Sequence, residues 1–159
     1  MSNLGSRAYY LILDKIKTQL LNDPNVNTVT KGAIEDIDLN KQTIYPLSHI
    51  IVNSSSFSDN IITFNMSIIS MDLVDIDKTV ATDKFIGNDN ESDVLNTQLL
   101  VQNRLYQELK RGDLYSAQYQ LEGSPTCEPF TDRFENKVAG WAMTFSLITK
   151  NDVELPSCD

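Results

Sequence analysis

Polar and apolar positions alternate most cleanly from Asn136 to Lys150, NKVAGWAMTFSLITK. Ala139, Trp141, Met143, Phe145 and Leu147 fall on one side. Val138, Gly140, Ala142, Thr144, Ser146 and Ile148 fall on the other. A period of two predicts a strand with one bulky face that must be covered. The run is far longer than the usual strand of about 5–6 residues, so it needs partners along its whole length. Near the N-terminus the period changes. Tyr9, Ile12, Leu13, Ile16 and Leu20 recur at helical spacing, which predicts a helix over 7–21 with Ser6 as its N-cap. Asn22-Asp23-Pro24 ends it, because proline disfavours a helical residue before it.

Between these two landmarks the pattern predicts more strands and one more helix. Residues 24–43 are mixed, with Gly32 and the acidic stretch Glu35–Asp38 reading as strand fragments and turns. Ile44–Val52 is rich in Ile, Val and Tyr, and Pro46 belongs at a strand start or a sheet edge. Asn53-Ser54-Ser55-Ser56 reads as a turn. Ile61–Val74 reads as a long strand with Ile62, Phe64, Met66 and Ile68 on one face and Thr63, Asn65 and Ser67 on the other. The two strands form an antiparallel hairpin with a long loop. Residues 75–92 have no apolar periodicity and read as a polar connector or arm. Asn90 or Ser92 caps a second helix over 93–111, and Asp93 suits its positive end. Val94, Leu95, Leu99, Val101, Leu105, Tyr106 and Leu109 make its apolar face, Leu100 points away, and Gly112 suits the C′ position. Residues 115–122 alternate as a half-buried strand, Gly123-Ser124-Pro125 turns the chain, and Thr126–Phe134 leads into the closing strand. Residues 151–159 read as a mobile tail. The order predicts a single α+β domain over residues 1–159: an antiparallel sheet with long strands, covered on one face by two amphipathic helices.

Charge narrows the functions this scaffold can serve. Acidic residues outnumber basic ones 22 to 13, for a net charge of -9. That argues against a broad grip on DNA phosphates, though an acidic wall that DNA slides past is compatible with it. The N-terminus lacks the basic and apolar regions of a signal peptide, and no apolar run is long enough to span a bilayer. Cys127 and Cys158 are the only cysteines, too few for a disulfide framework, which suits a reducing compartment.

Candidate chemistry is sparse. His49, the single histidine, lies within a predicted strand, where a structural role is the simpler reading. Cys127 sits beside Glu128 and Pro129 with no positive neighbour to lower its pKa. The supply of Cys and His is too small for a structural zinc site. No glycine-rich phosphate loop is present. The acidic clusters Asp72, Asp75, Asp77 and Asp89, Glu91, Asp93 lack the calcium-loop spacing and read as solvated loop acids. The Trp141 stripe reads as core. A carboxylate enzyme on this scaffold is compatible with the sequence, but no catalytic, cofactor-binding or metal residue is assigned.

The arrangement as a whole resembles the tail-terminator, tail-completion and neck-ring proteins of tailed bacteriophages. The N-terminal amphipathic helix carries the resemblance, together with YPLSHIIV at Tyr45–Val52, IITFNMSIISMDLVD at Ile61–Asp75, the helix at Ser92–Gly112 and the closing strand ENKVAGWAMTFSLIT at Glu135–Thr149. It covers most of the chain. It implies a non-enzymatic virion component, assembled in the host cytoplasm as a homo-oligomeric ring, hexameric or dodecameric, at the tail end or head–tail junction. Its partners would be a portal-proximal ring and the tail tube, with DNA passing through unbound and no membrane involved. The alternative is a small soluble binding or adaptor module unrelated to virions.

Overall fold

A computed structural model describes residues 4–36, 42–75, 85, 89–133 and 137–155. Helix α1 spans Leu4–Leu21 and helix α2 spans Glu91–Lys110. The strands are β1 (Thr28–Lys31), β2 (Leu47–Phe57), β3 (Ile61–Leu73), β4 (Tyr119–Arg133) and β5 (Lys137–Lys150). They form one sheet in the order β1-β2-β3-β5-β4. The fold is the expected α+β layer, with one addition. The short β1 runs parallel to β2, so the sheet is mixed at that edge.

The core lies where period-two and period-3.6 stripes meet. Ile12, Leu13, Ile16 and Leu20 of α1 and Val101, Leu105 and Leu109 of α2 are buried with Ile62, Phe64, Met66 and Ile68 of β3 and Met143, Phe145 and Leu147 of β5. Tyr9 departs from the expected stripe and is 45% exposed, and Ala8 takes a core position instead. Leu100 points outward, as its position predicts, but Leu99, expected on the apolar face, is nearly as exposed, and Gln98 and Gln102 are buried there instead. A second apolar cluster lies on the other side of the sheet. There Ile34, Ile44 and Tyr45 cover Leu47, Met71 and Val138. The segment before β2 is therefore a partial lid on one end of the second face.

Several boundaries differ from expectation, each for a local reason. Ser6 lies inside α1, which starts at Leu4, so it is no N-cap. Residues 53–56 do not turn. They continue β2, with a bulge at Asn53, and the chain reverses at Ser58–Asn60, where Ser58 N donates to Ile61 O at 2.9 Å. The hairpin is thus tightly closed. Residues 115–118 are not strand, because Asp113 organises a turn: its Oδ1 accepts from Tyr115 N at 2.6 Å and its carbonyl from Ala117 N and Gln118 N. Gly123-Ser124-Pro125 is a bulge inside β4, with pairing resuming at Thr126. Asn90 holds the N-cap position of α2 without a side-chain cap bond. Gly112 follows the helix as expected, but not for left-handed backbone. A Cβ there would overlap the Tyr119 ring, with Cδ2 at 2.8 Å.

Two interior positions stand out energetically. At Gly140 a Cβ would meet Ser70 O and lie 2.8 Å from Met71 Cα, both backbone atoms of β3 that cannot swing aside. Gln98 is fully buried beneath α2, and neither its amide oxygen nor its nitrogen has a hydrogen-bond partner. Leaving such groups unpaired costs about 1–3 kcal/mol. Gly140→Ala is expected to destabilise by at least about 2 kcal/mol in urea unfolding. Gln98→Met, which keeps the length and removes the amide, should raise the thermal midpoint by about 2–4 °C. A lower midpoint would mean that Gln98 is hydrogen-bonded in solution.

Candidate assembly surface

Among the described residues no helix packs on the second face of the sheet, and beyond the lid short polar side chains stand there beside Ile51, Ala142 and Ile148. β-Pairing aligns Ser54, Asn65 and Ser146 across three strands, and Ser67 with Thr144 in the next register. These side chains bond to one another in two rungs. In the first, Ser146 Oγ donates to Asn65 Oδ1 at 2.5 Å, and Asn65 Nδ2 donates to Ser54 Oγ at 2.8 Å. In the second, Asn53 Nδ2 donates to Ser67 Oγ at 2.8 Å, and Ser67 shares a 3.3 Å contact with the Thr144 hydroxyl. On β4, Glu122 extends the first rung and Thr126 the second, both exposed.

The bulge at Asn53 makes this possible. It inserts one residue between the pairs Val52↔Met66 and Ser54↔Asn65, so Ser54 and Ser56 keep to the polar face. The alternation along β3 and β5 pointed to Asn65, Ser67, Thr144 and Ser146. It missed Asn53 and Ser54, since a serine run carries the same signal in a turn as in a polar strand. Charge on the face is acidic along β4, from Glu122 and Glu128. Lys150 lies at the far end of β5, its ammonium 4.8 Å from the Tyr115 ring centroid.

A second feature is the stem of the polar connector. Asn90 Oδ1 accepts from Asp75 N at 2.7 Å, so the chain leaves β3 and re-enters α2 at one point. Next to it, Lys137 Nζ lies 2.8 Å from Glu91 Oε2 and 3.4 Å from Asp89 Oδ2, and Thr131 Oγ1 donates to Glu91 Oε1 at 2.9 Å. The Lys137 hydrogen bond holds the Glu91 carboxyl below the usual carboxylate range, and the same bond raises the Lys137 ammonium. Most of the connector, including Asp77, lies outside the described residues. At the other end, Asn151 is fixed to the hairpin turn through Ser58 O and Asn60 O, both at 2.9 Å. Asn151, expected within the tail at 151–159, is therefore held to the body, and Cys158 lies outside the described residues.

Four further candidates lie partly or fully buried within the layer. His49 is fully buried, with Nε2 donating to Gly32 O at 2.7 Å and Nδ1 accepting from Thr30 Oγ1 at 2.8 Å. The carbonyl can only accept, which fixes the neutral tautomer with its proton on Nε2. Burial pushes the imidazole pKa down, against the Gly32 hydrogen bond. Asp72 is raised by burial, partly offset by the Leu73 N–H, and raised further by Asp75. Burial raises the Cys127 thiol, opposite to what a nucleophile needs. Trp141 lies under α2, with Nε1 donating to Leu95 O at 2.8 Å. Among the described residues no group of three or more His, Cys, Asp or Glu side chains is placed to hold a metal ion, and no helix is long and apolar enough to cross a membrane. No protein-family model matches the chain, and no curated protein matches it.

The His49 clamp gives a pH dependence of definite sign. The unfolded imidazole takes its proton near its ordinary value of 6.5, and the folded one only at lower pH. The contribution is therefore fully present above about 6.5 and is lost as pH falls from there toward the folded value. Wild type should lose more unfolding free energy than His49→Gln between about pH 7.5 and about pH 5.5. Equal losses would show that the folded imidazole takes up its proton over the same pH range as the unfolded one.

Proposed function

We propose that this chain is a non-enzymatic structural subunit of a tailed-phage virion, forming a homo-oligomeric ring at the tail end or head–tail junction through which DNA passes. The observation that carries this reading is the bare sheet face, whose hydroxyls and amides are paired among themselves and flanked by Glu122 and Glu128. Among the described residues a backbone phosphate sliding along it meets no cluster of Lys or Arg, and the acidic flank repels it. The resemblance in element order to tail-terminator and neck-ring proteins supports the same reading. A hexamer or a dodecamer, contacts to a portal-proximal ring and the tail tube, and residence in the virion belong to the proposal.

Closed rings repeat one heterologous interface around an axis. The interface would use the 75–92 connector, whose ends meet at Asp75 and Asn90, or the strand around 44–52, which the sheet order places between β1 and β3 and not at an edge. A small binding or adaptor module is the second reading, favoured by an uncharged cleft between α2 and the β4 bulge. Mass in solution, or on tail tubes supplied as a template, separates the two, since a subunit of 17.9 kDa would run as a monomer in the second case.

Deleting residues 78–88 is expected to leave a folded monomer, with an unchanged thermal midpoint, that no longer enters rings in sedimentation or negative-stain images. Rings formed by the deleted protein would remove the connector from the interface. A wild-type chain that stays monomeric on tail tubes would overturn the ring itself.

A further inference from the structure

The bulge in β4 opens a cleft in an otherwise closed layer. Gly123, at φ +69°, swings Ser124 and Pro125 out of line between the pairs Glu122↔Ser146 and Thr126↔Thr144. The strand thereby stands off from α2 and leaves a cleft of about 360 Å³. Its apolar lining comes from Leu99, Tyr106, Pro125, Cys127 and Met143. None of the lining side chains is charged, although 22% of the chain is.

One lining group is polar, fully buried and incompletely bonded. Gln102 Nε2 donates to Ile68 O at 2.9 Å and to Trp141 O at 2.6 Å. Two carbonyl acceptors fix which end of the amide is nitrogen. The other end, Oε1, is buried without a hydrogen-bond partner. A buried orphan acceptor is costly to keep, and a donor brought by a ligand would relieve that cost. The nearby thiol stays protonated, since burial raises it, and so adds polarisability without charge.

We propose that this cleft is a binding site for a small neutral aromatic molecule carrying one N–H or O–H donor, with the donor directed to Gln102 Oε1. Volume, neutrality and the orphan acceptor set this class. A charged ligand would lose its hydration with no counter-charge to meet it. The sulfurs of Met143 and Cys127 and the Tyr106 ring favour an aromatic body over an aliphatic one. The site is formed within one copy of the chain and holds whether or not the chain assembles into rings.

The test uses the purified full chain with indole and its 1-methyl derivative, which has the same ring system and no donor. Amide chemical-shift titration is expected to give an indole Kd of about 1 mM or tighter, with shifts centred on Leu99, Tyr106 and Cys127. The methylated ring should bind about tenfold more weakly. Alkylation of Cys127 should slow in the presence of indole. Gln102→Met should abolish the difference between the two rings. Since that variant also loses two bonds to the sheet, Leu99→Trp, at a partly exposed rim position, provides a second arm by filling the cleft and eliminating both ligands. Equal affinity for the two rings in the wild type, shifts located elsewhere, or indole binding undiminished by Leu99→Trp would each overturn the assignment.

Discussion

The structure depends on the antiparallel pairing of β3 with β5. Every residue from Ile61 to Leu73 has a partner on β5, from Lys150 back to Val138. Both helices pack on side chains this pair presents, and the strands that flank it take their register from it. The approach is close enough at Gly140 that a side chain there would run into the β3 backbone. Gln102 then bonds to a carbonyl from each strand, Ile68 and Trp141, so the second helix is fastened across the pair as well as packed on it. A shift by one residue would send every core side chain of β5 to the opposite face.

That pair separates two surfaces with different physics. The helix side is held by burial of Leu, Ile, Met and Phe, which is favourable in proportion to area. The other side is apolar beneath the lid formed by Ile34, Ile44 and Tyr45, and beyond it Ile51 and Ile148 stand among polar side chains. Elsewhere its hydroxyls and amides exchange bonds with water for bonds with one another, a trade worth little net free energy. The polar rungs therefore define a surface more than they stabilise a fold, which is the expected economy for a face that meets something other than its own chain.

The long elements were legible because their periodicity was strong. Phe64, Met66 and Ile68, or Met143, Phe145 and Leu147, need no context to declare a buried face. Boundaries were less legible, since they turn on single interactions. Asp113 captures the amides that alternation at 115–118 assigns to a strand. Gly112 was placed correctly on the chain for the wrong reason: the space it leaves belongs to Tyr119, a partner invisible to local rules. The parallel pairing of β1 and the lid over Leu47 and Met71 are non-local, and short mixed segments carry no period to reveal them. Of the bare face, the β3 and β5 contributions were readable and the β2 contribution was not. The cleft was beyond reach, because it arises from a bulge that reads as a turn.

The inserted Asn53 has a consequence for solubility. Past it, odd-numbered β2 residues share the helix side and even-numbered ones the bare side, so Phe57 pairs with Ile62 at the helix-side margin, where it stays 77% exposed. Were Asn53 instead drawn into the regular ladder opposite Asn65, the rest of the strand would slip by one residue and its parity would invert. Ser54 and Ser56 would leave the bare face, and Ser55 and Phe57 would take their places. The molecule would then carry an unshielded benzyl group on a flat sheet beside an unpaired strand edge, a combination that invites uncontrolled stacking of chains. One unpaired asparagine thus stands between a wetted wall and an adhesive one.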